Sequence, residues 1–525
     1  FKQKTAYEIG VRLVGSEMCI RDSTTPLENP MFKKILVANR GEIAVRIVRA
    51  CRDMGIWAVA VYDAPDRDSL HVRLADECVP LTTQRSYMDG EQLIKIALET
   101  GAEAIHPGYG FLAEQPDFIR ACEEAGIVFI GPSSDVMEAL RSKIGLLERA
   151  QAAGFDTPLH SSVSFRSSEQ DLYLAEAEQM GFPLLVKSCS GGRGRATRLV
   201  RTPDALVRAV REASAEAQIV FGNDSLFLEH AVMPANFIDV QILADQYGNM
   251  VHLGEREGSI QRNNQKLIAE SPAPSVTASQ RIKLHEMALQ LARLFNVTNA
   301  ATVEFLLDGT GKFYFTEIKA RIQVEHPVTE LVNRIDLVRE QIEIAAGKRL
   351  SIKQDDVKTL GWAMQCRVNA EDPWNHYMPS PGQIRRFRLP GGPYVRVDTY
   401  GYSGCQVPMR YDPMLAKLVV WGEDREACVL RFRRALQDFA ISGVRSNIPL
   451  YQRILEDPDF VAGTYSTDFM RRPLLRRETD SPEELLRDLA VAAAIAYAAR
   501  NQAMQSVVPE RMHSGWHRSS RQLPG

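Results

Sequence analysis

The stretch TEIKARIQVEHPVTE, residues 316–330, decides how the rest of the chain is read. Glu317, Lys319, Arg321, Gln323 and Glu325 are polar, and Ile318, Ala320, Ile322 and Val324 between them are apolar. Successive side chains of an extended chain point to opposite faces. One face would therefore crowd five polar groups, four of them charged. A half-buried strand with a wet side gives the same pattern and holds nothing. The remainder of the chain decides between a solvated face and a working one.

Working outward, the stretch closes a hairpin, TVEFLLDGTGKFYFTEIKARIQVE, with DGTG at its tip. In one register Glu304 lies opposite Glu317. Two carboxylates held close repel, and one is protonated unless a cation sits between them. Hard oxygen ligands of this kind, together with phosphates, suit Mg²⁺. HPVTE then opens a helix, with Pro327 near its first position, expected to run to about Gly347.

Upstream, FPLLVKSCSGGRGRATRLV reads as strand, glycine turn, strand. It is not a Walker loop, because no GK[ST] opens a helix. Its backbone N–H groups could cradle an anion; an ordinary flexible hairpin is the alternative. Further back, strands alternate with helices over about 33–133, which predicts a doubly wound parallel sheet. HPGYGF, residues 106–111, is a loop at the carboxyl end of one such strand, where sites are built. Downstream, a block with strands early and helices late runs to about Leu475. Residues 481–502 read as an alanine-rich helix with an SPEE start, and a Pro/Gly-punctuated tail follows.

Composition excludes several classes. The 525 residues allow three or four domains. They are 45% hydrophobic and 25% charged, as in a soluble globular protein. A net charge of -3 shows no basic excess, so no nucleic-acid partner is expected. The apolar run at 489–499 is too short to span a membrane. Eight scattered cysteines form no CxxC pair, which argues against a zinc cluster, lends no support to a disulfide framework, and fits a reducing cytoplasm. The opening FKQKTAYEIGVRLVGSEMCIRDS resembles translated adapter DNA, and Met31 is the expected start.

ILVANRGEIAVRIVRA, HPGYGFLAE, EIKARIQVEHPVTE, CRVNAEDP and MPSPGQI together resemble the biotin carboxylase module of biotin-dependent carboxylases, in the ATP-grasp superfamily. The resemblance covers about 31–475, in order. It implies an α/β architecture: an artefactual or disordered leader (1–30), an N-terminal domain with helical linker (31–157), an ATP-grasp lid (158–235), an ATP-grasp and carboxylase C-terminal region (236–475), and a helix with a linker tail (476–525). It implies a reaction in which ATP and bicarbonate form carboxyphosphate and N1 of biotin is then carboxylated, with Mg²⁺ or Mn²⁺ as the metal. Glu325 matches the general base, Arg321 the arginine that binds bicarbonate and steadies the biotin enolate, and Lys266, Gln323 and Val324 bicarbonate-side positions. Arg367 matches a biotin-pocket arginine, with Tyr109 and Gly110 beside it. Lys143, Lys187, Gly191, Gly192, Gly194, Glu229, Gln261 and Asn264 match ATP-binding positions, and Glu304 and Glu317 the metal carboxylates. Singly, each of these is most simply a solvated charge or a structural ion pair; their co-occurrence in order carries the reading.

Departures from the family cluster on the ATP side. Ser190, Arg193 and Ala196 stand where glycines are expected, and Lys319 where an asparagine is usual. Phe237 and Asn264 replace histidines. Two explanations follow: an active enzyme in which Lys319 and Arg193 supply fixed positive charge, or a non-catalytic paralogue docking in a carboxylase complex. Intact bicarbonate and biotin residues favour the first. No MKM motif appears, so biotin must sit on a biotin carboxyl carrier protein or a further domain. The acceptor (acetyl-CoA, as in fatty acid biosynthesis, propionyl-CoA, pyruvate or another) belongs to a carboxyltransferase subunit. A homodimer is what the family suggests. Other ATP-grasp ligases lack RIQVEHPVTE and rank below.

Overall fold

The computed structural model describes residues 31–190, 194, 196–472, 487 and 489–497. The chain divides into two compact units, residues 1–471 and 472–525. The first unit opens with KILV, the strand Lys34–Val37, apolar and buried after its first residue, as a strand covered on both faces must be. It pairs in parallel with Trp57–Tyr62 and Ala104–His106. Five parallel strands result, in the order Glu77–Pro80, Trp57–Tyr62, Lys34–Val37, Ala104–His106, Val128–Phe129. The doubly wound sheet expected over 33–133 is present. The chain builds outward from its first strand in one direction and then the other. The loops after Lys34–Val37 and Ala104–His106 therefore meet at the switch point, where crevices form. Asn39 ties the two loops together, its Nδ2 donating to the carbonyls of Pro107 (2.7 Å) and Tyr109 (2.9 Å).

A three-stranded antiparallel sheet follows, with Leu184–Ser188 between Arg198–Val200 and Leu226–His230. Helix Leu206–Phe221 buries Val210 and Ala213 against Val186 and Leu228. The strand–turn–strand reading holds at both strands. Gly191, Gly192 and Arg193 of the turn lie outside the described residues, as do the leader and most of the helix expected at 481–502, of which 487 and 489–497 are described, as helix.

The third layer is an eight-stranded antiparallel sheet. Its order is Phe313–Lys319, Asn299–Asp308, Ala235–Ala244, Met250–Glu257, Ile268–Ser271, Trp362–Asn369, Met414–Gly422, Val395–Thr399. Register places Glu304 opposite Glu317, the pairing that one register of the hairpin reading had, with a bulge between Glu304 and Phe305. On the other side of Glu304 stands Asp239, and beyond Asp239 stands Arg256. Three carboxylates thus sit side by side across three strands.

Two expectations are corrected. The strand does not continue to Glu325: it ends at Lys319, and the chain turns so that His326 N donates to the Gln323 carbonyl (3.3 Å). Nor does one helix run to Gly347. Helix His326–Asn333 ends where Arg334 adopts a left-handed φ of 58°, and a second helix, Leu337–Ala345, starts from Asp336, whose side chain accepts from Arg339 N. An aspartate cap favours a new start over continuation. Among the described residues, no helix is long and apolar enough to cross a membrane, and seven cysteines are free.

Candidate active site

All three layers line one cleft of about 1070 Å³. The switch-point loops supply Arg40, Tyr109 and Gly110, the small sheet supplies Lys187 and Glu229, and the large sheet supplies Glu304, Glu317, Lys319 and Arg367. Every described residue expected at the site lines this cleft: Gln261, Asn264, Lys266, Arg321, Gln323, Val324, Glu325, Lys143 and Gly194 complete the set. Although the strand stops at Lys319, the alternation persists into the turn as far as Gln323, after which Val324 also lines the cleft. Ile318, Ala320 and Ile322 are buried in apolar clusters, and the odd-numbered side chains face the cleft.

At one end, Glu325 is 3% exposed. Lys266 Nζ lies 2.5 Å from its Oε1, and Arg367 Nη2 donates to its Oε2 at 3.1 Å. Burial alone would raise this carboxyl, but the charges of Lys266, Arg367 and Arg256 outweigh it and hold Glu325 well below the usual carboxylate range. Lys266 joins the two halves of the site. It donates to Asp239 at 2.5 Å and to Gln323 Oε1 at 3.0 Å, and stands 3.5 Å from Glu304 Oε1. Its ammonium also lies 4.8 Å from the centre of the Phe237 ring, so Phe237 packs on a cation where a histidine was expected. Arg321 lies 3.4 Å from Glu114 and donates to the Ile322 carbonyl. Tyr109 Oη donates to Glu42.

At the other end, Glu317 receives Lys319 Nζ at 2.6 Å, and Glu304 receives Gln323 Nε2 at 2.8 Å. The two carboxyls separate in acidity. Burial and the neighbouring Glu317 push Glu304 up to about 7, against the pull of Lys266. Burial acts on Glu317 too, but Lys319 and Lys143 hold it low. Lys143 is itself pushed down to about 8 by desolvation, partly offset by Glu317. Lys187 Nζ donates to Glu229 at 2.8 Å, so these two residues, both expected at the nucleotide, form one ion pair here. A carboxyl raised when folded favours the native state at low pH, and that contribution is lost as pH rises through its folded value. Replacing Glu304 with glutamine is therefore expected to flatten the fall in the unfolding midpoint of the ligand-free protein between pH 5.5 and 7.5; an unchanged profile would reject the assignment.

Three departures acquire definite surroundings. Ser190 Oγ accepts from Asn223 Nδ2 at 2.8 Å, a contact that glycine could not make. Ala196 is fully buried at φ 54°, a conformation that opposes any β-carbon. Gly194 has φ 63°, and a β-carbon there would meet the side chain of Asn264 at 2.3 Å; Asn264 Nδ2 instead donates to the Gly194 carbonyl at 3.2 Å.

Sequence reasoning missed Asp239 and Arg256. Arg256 is fully buried and donates to Asp239 (2.6 Å), Gln241 (2.7 Å), Thr302 and Thr329 (3.0 Å each). The signal was present: in NFIDVQIL, Asp239 and Gln241 alternate with Ile238, Val240 and Ile242, as in the opening stretch.

Three family models match: the biotin carboxylase N-terminal domain over 31–137, the carbamoyl-phosphate synthase L chain ATP binding domain over 147–353, and the biotin carboxylase C-terminal domain over 365–472. The biotin carboxylase of Nostoc sp. is 46% identical over 443 residues, covering 84% of this chain and 99% of its own. Biotin carboxylase 1 of Bacillus subtilis is 43% identical over 444 residues, 84% and 98% respectively. Among solved structures, the biotin carboxylase domain dimer of the Hydrogenobacter thermophilus 2-oxoglutarate carboxylase, in complex with MgADP, ADP and bicarbonate, matches with a TM-score of 0.83. It is 42% identical and covers 86% of this chain and 100% of that one.

Proposed function

The chain belongs to the biotin carboxylase family, and from the build of its cleft we propose how it performs that family's reaction. It is an ATP-dependent ligase that carboxylates biotin with bicarbonate as the carbon source. The observation that carries the residue roles is the buried Glu325 carboxylate held between Lys266 and Arg367.

A carboxylate pinned by two cations is a weak base. Bicarbonate is an anion, and Lys266, Arg321 and Arg367 are among the cations that line this cleft. As bicarbonate takes up those cations, Glu325 loses partners that hold its acidity high, and its basicity rises toward the proton it must remove. Arg367 and Arg321 then face the oxyanion that develops on the ureido group of biotin. Gln323 and the backbone at Val324 bound the bicarbonate position, with Tyr109 and Gly110 closing it from the switch-point loop. At the far end, Lys143, Lys187 and Glu229 receive the nucleotide, with Gln261, Asn264 and the turn around Gly194 above it.

The donor set fits a hard divalent cation in a limited way. Glu304 and Glu317 offer carboxylate oxygens in adjacent register, yet among the described residues no three acidic, histidine or cysteine side chains are placed to hold a metal ion by themselves. Mg²⁺ would be held by these two carboxylates together with phosphate oxygens, and would screen phosphate charge when bound. No relative reported above favours the non-catalytic alternative. We propose a homodimer, like the Hydrogenobacter domain, serving a biotin carboxyl carrier protein and a carboxyltransferase in the cytoplasm. The seven cysteines that are free among the described residues suit that compartment.

Protein beginning at Met31, given ATP, Mg²⁺ and bicarbonate, is expected to release phosphate, and to release it faster with free biotin. Release that ignores both bicarbonate and biotin would sink the reading.

A further inference from the structure

The carboxylate row, Asp239–Glu304–Glu317, poses a problem of charge. Like charges directly opposite on neighbouring strands destabilise a sheet, and these three are neighbours by register. Each is met by a protein cation. Arg256 and Lys266 hold Asp239 at 2.6 and 2.5 Å. Lys266 also reaches toward Glu304. Lys319 holds Glu317 at 2.6 Å and is itself 8% exposed, so its ammonium is a fixture of the cleft floor and not a passing surface charge.

Phosphoryl-transfer sites commonly use two divalent ions that clamp the phosphate oxygens from both sides. Two facing carboxylates offer the anchor for such a pair. Here the second place is compromised, because an ammonium donates hydrogen bonds and cannot ligate a metal. Glu317 can still lend an oxygen to one ion shared with Glu304, but a second ion beside Lys319 would meet a fixed positive charge within contact distance.

We propose that Lys319 is a built-in counter-cation: it replaces one of two divalent ions, so that the nucleotide is bound with a single metal ion per chain. The proposal rests on reading this cleft as a nucleotide site. Glu317 thereby keeps a permanent partner, and nucleotide phosphate meets one mobile and one covalently tethered cation. Removing the ammonium and supplying an amide oxygen in its place should open the second position.

The test counts Mn²⁺ bound per chain, by electron paramagnetic resonance titration with a non-hydrolysable ATP analogue. Wild-type protein is expected to bind one Mn²⁺ per nucleotide-loaded chain, and Lys319→Asn two. Lys319→Arg retains the charge and should stay at one, which guards against a folding defect in the asparagine variant. Two ions on the wild type, or the same count in wild type and Lys319→Asn, would overturn the proposal. Because the count needs no turnover, it fails separately from the phosphate-release assay. A complete lack of nucleotide-dependent Mn²⁺ binding would remove the nucleotide reading and this inference together.

Discussion

Glu325→Gln is expected to lower biotin-stimulated, bicarbonate-dependent phosphate release by about 10²–10⁴-fold, the range spanned by loss of a positioned base. Glutamine has nearly the same shape and can still accept from Arg367, which donates to Glu325 at 3.1 Å. Lys266 keeps its 2.5 Å contact with Asp239, so the surrounding architecture has an intact anchor. What disappears is the capacity to take a proton. Affinity for ADP, proposed to sit among Lys143, Lys187 and Glu229 at the other end of the cleft, should be unchanged. A fall in activity of less than about tenfold would mean that another group removes the proton. Matching losses of ADP affinity and turnover would instead mean that the substitution disturbs the whole floor of the cleft.

The second large effect is on stability. Arg256→Met is expected to destabilise the protein by about 3–5 kcal/mol, the usual cost of breaking a buried ion pair by removing one partner. Arg256 is fully buried and satisfies four acceptors on three elements. Methionine fills much of the space but leaves Asp239 with Lys266 as its remaining close cation and leaves Gln241, Thr302 and Thr329 short of a donor. The check is the thermal unfolding midpoint, alongside the Asp239→Asn/Arg256→Met double variant. Removing both charges together should recover part of the loss, as residues sharing one network are non-additive. An unchanged midpoint in Arg256→Met would show that the row of carboxylates does not depend on this cation.

Much of the site was legible because the chain writes its chemistry on alternate residues. The parity of 317–323 separated cleft-facing from buried side chains, Val324 being the even-numbered residue that also lines the cleft, and one register of the hairpin put Glu304 opposite Glu317, which the structure reaches through a bulge between Glu304 and Phe305. The parallel sheet at the start was readable from short apolar runs separated by helical spacing. Other features were not legible for physical reasons. The end of the strand at Lys319 leaves no mark in the alternation, since a turn can preserve the sidedness that a strand began. The break at Arg334 depends on one left-handed residue followed by an aspartate cap, and helical periodicity bridges it unnoticed. Arg256 sits in LGERE, where charged neighbours make a buried arginine look like surface. The pairing of Lys187 with Glu229 crosses between strands that sequence alone does not align. Resemblance implied roles for single residues; distances supplied the connection between them, above all Lys266 standing between Glu325 and the carboxylate row.

The interleaving of packing and chemistry in 317–325 has a consequence for how this segment can change by insertion or deletion. Point substitutions leave the phase intact and injure one side or the other. Loss of a single residue anywhere in the segment inverts the phase of everything on one side of the gap. Ile318, Ala320 and Ile322 would swing toward water while their charged neighbours were driven into the apolar interior. Such an event cannot be absorbed gradually, so the segment can drift in spelling but is locked in length.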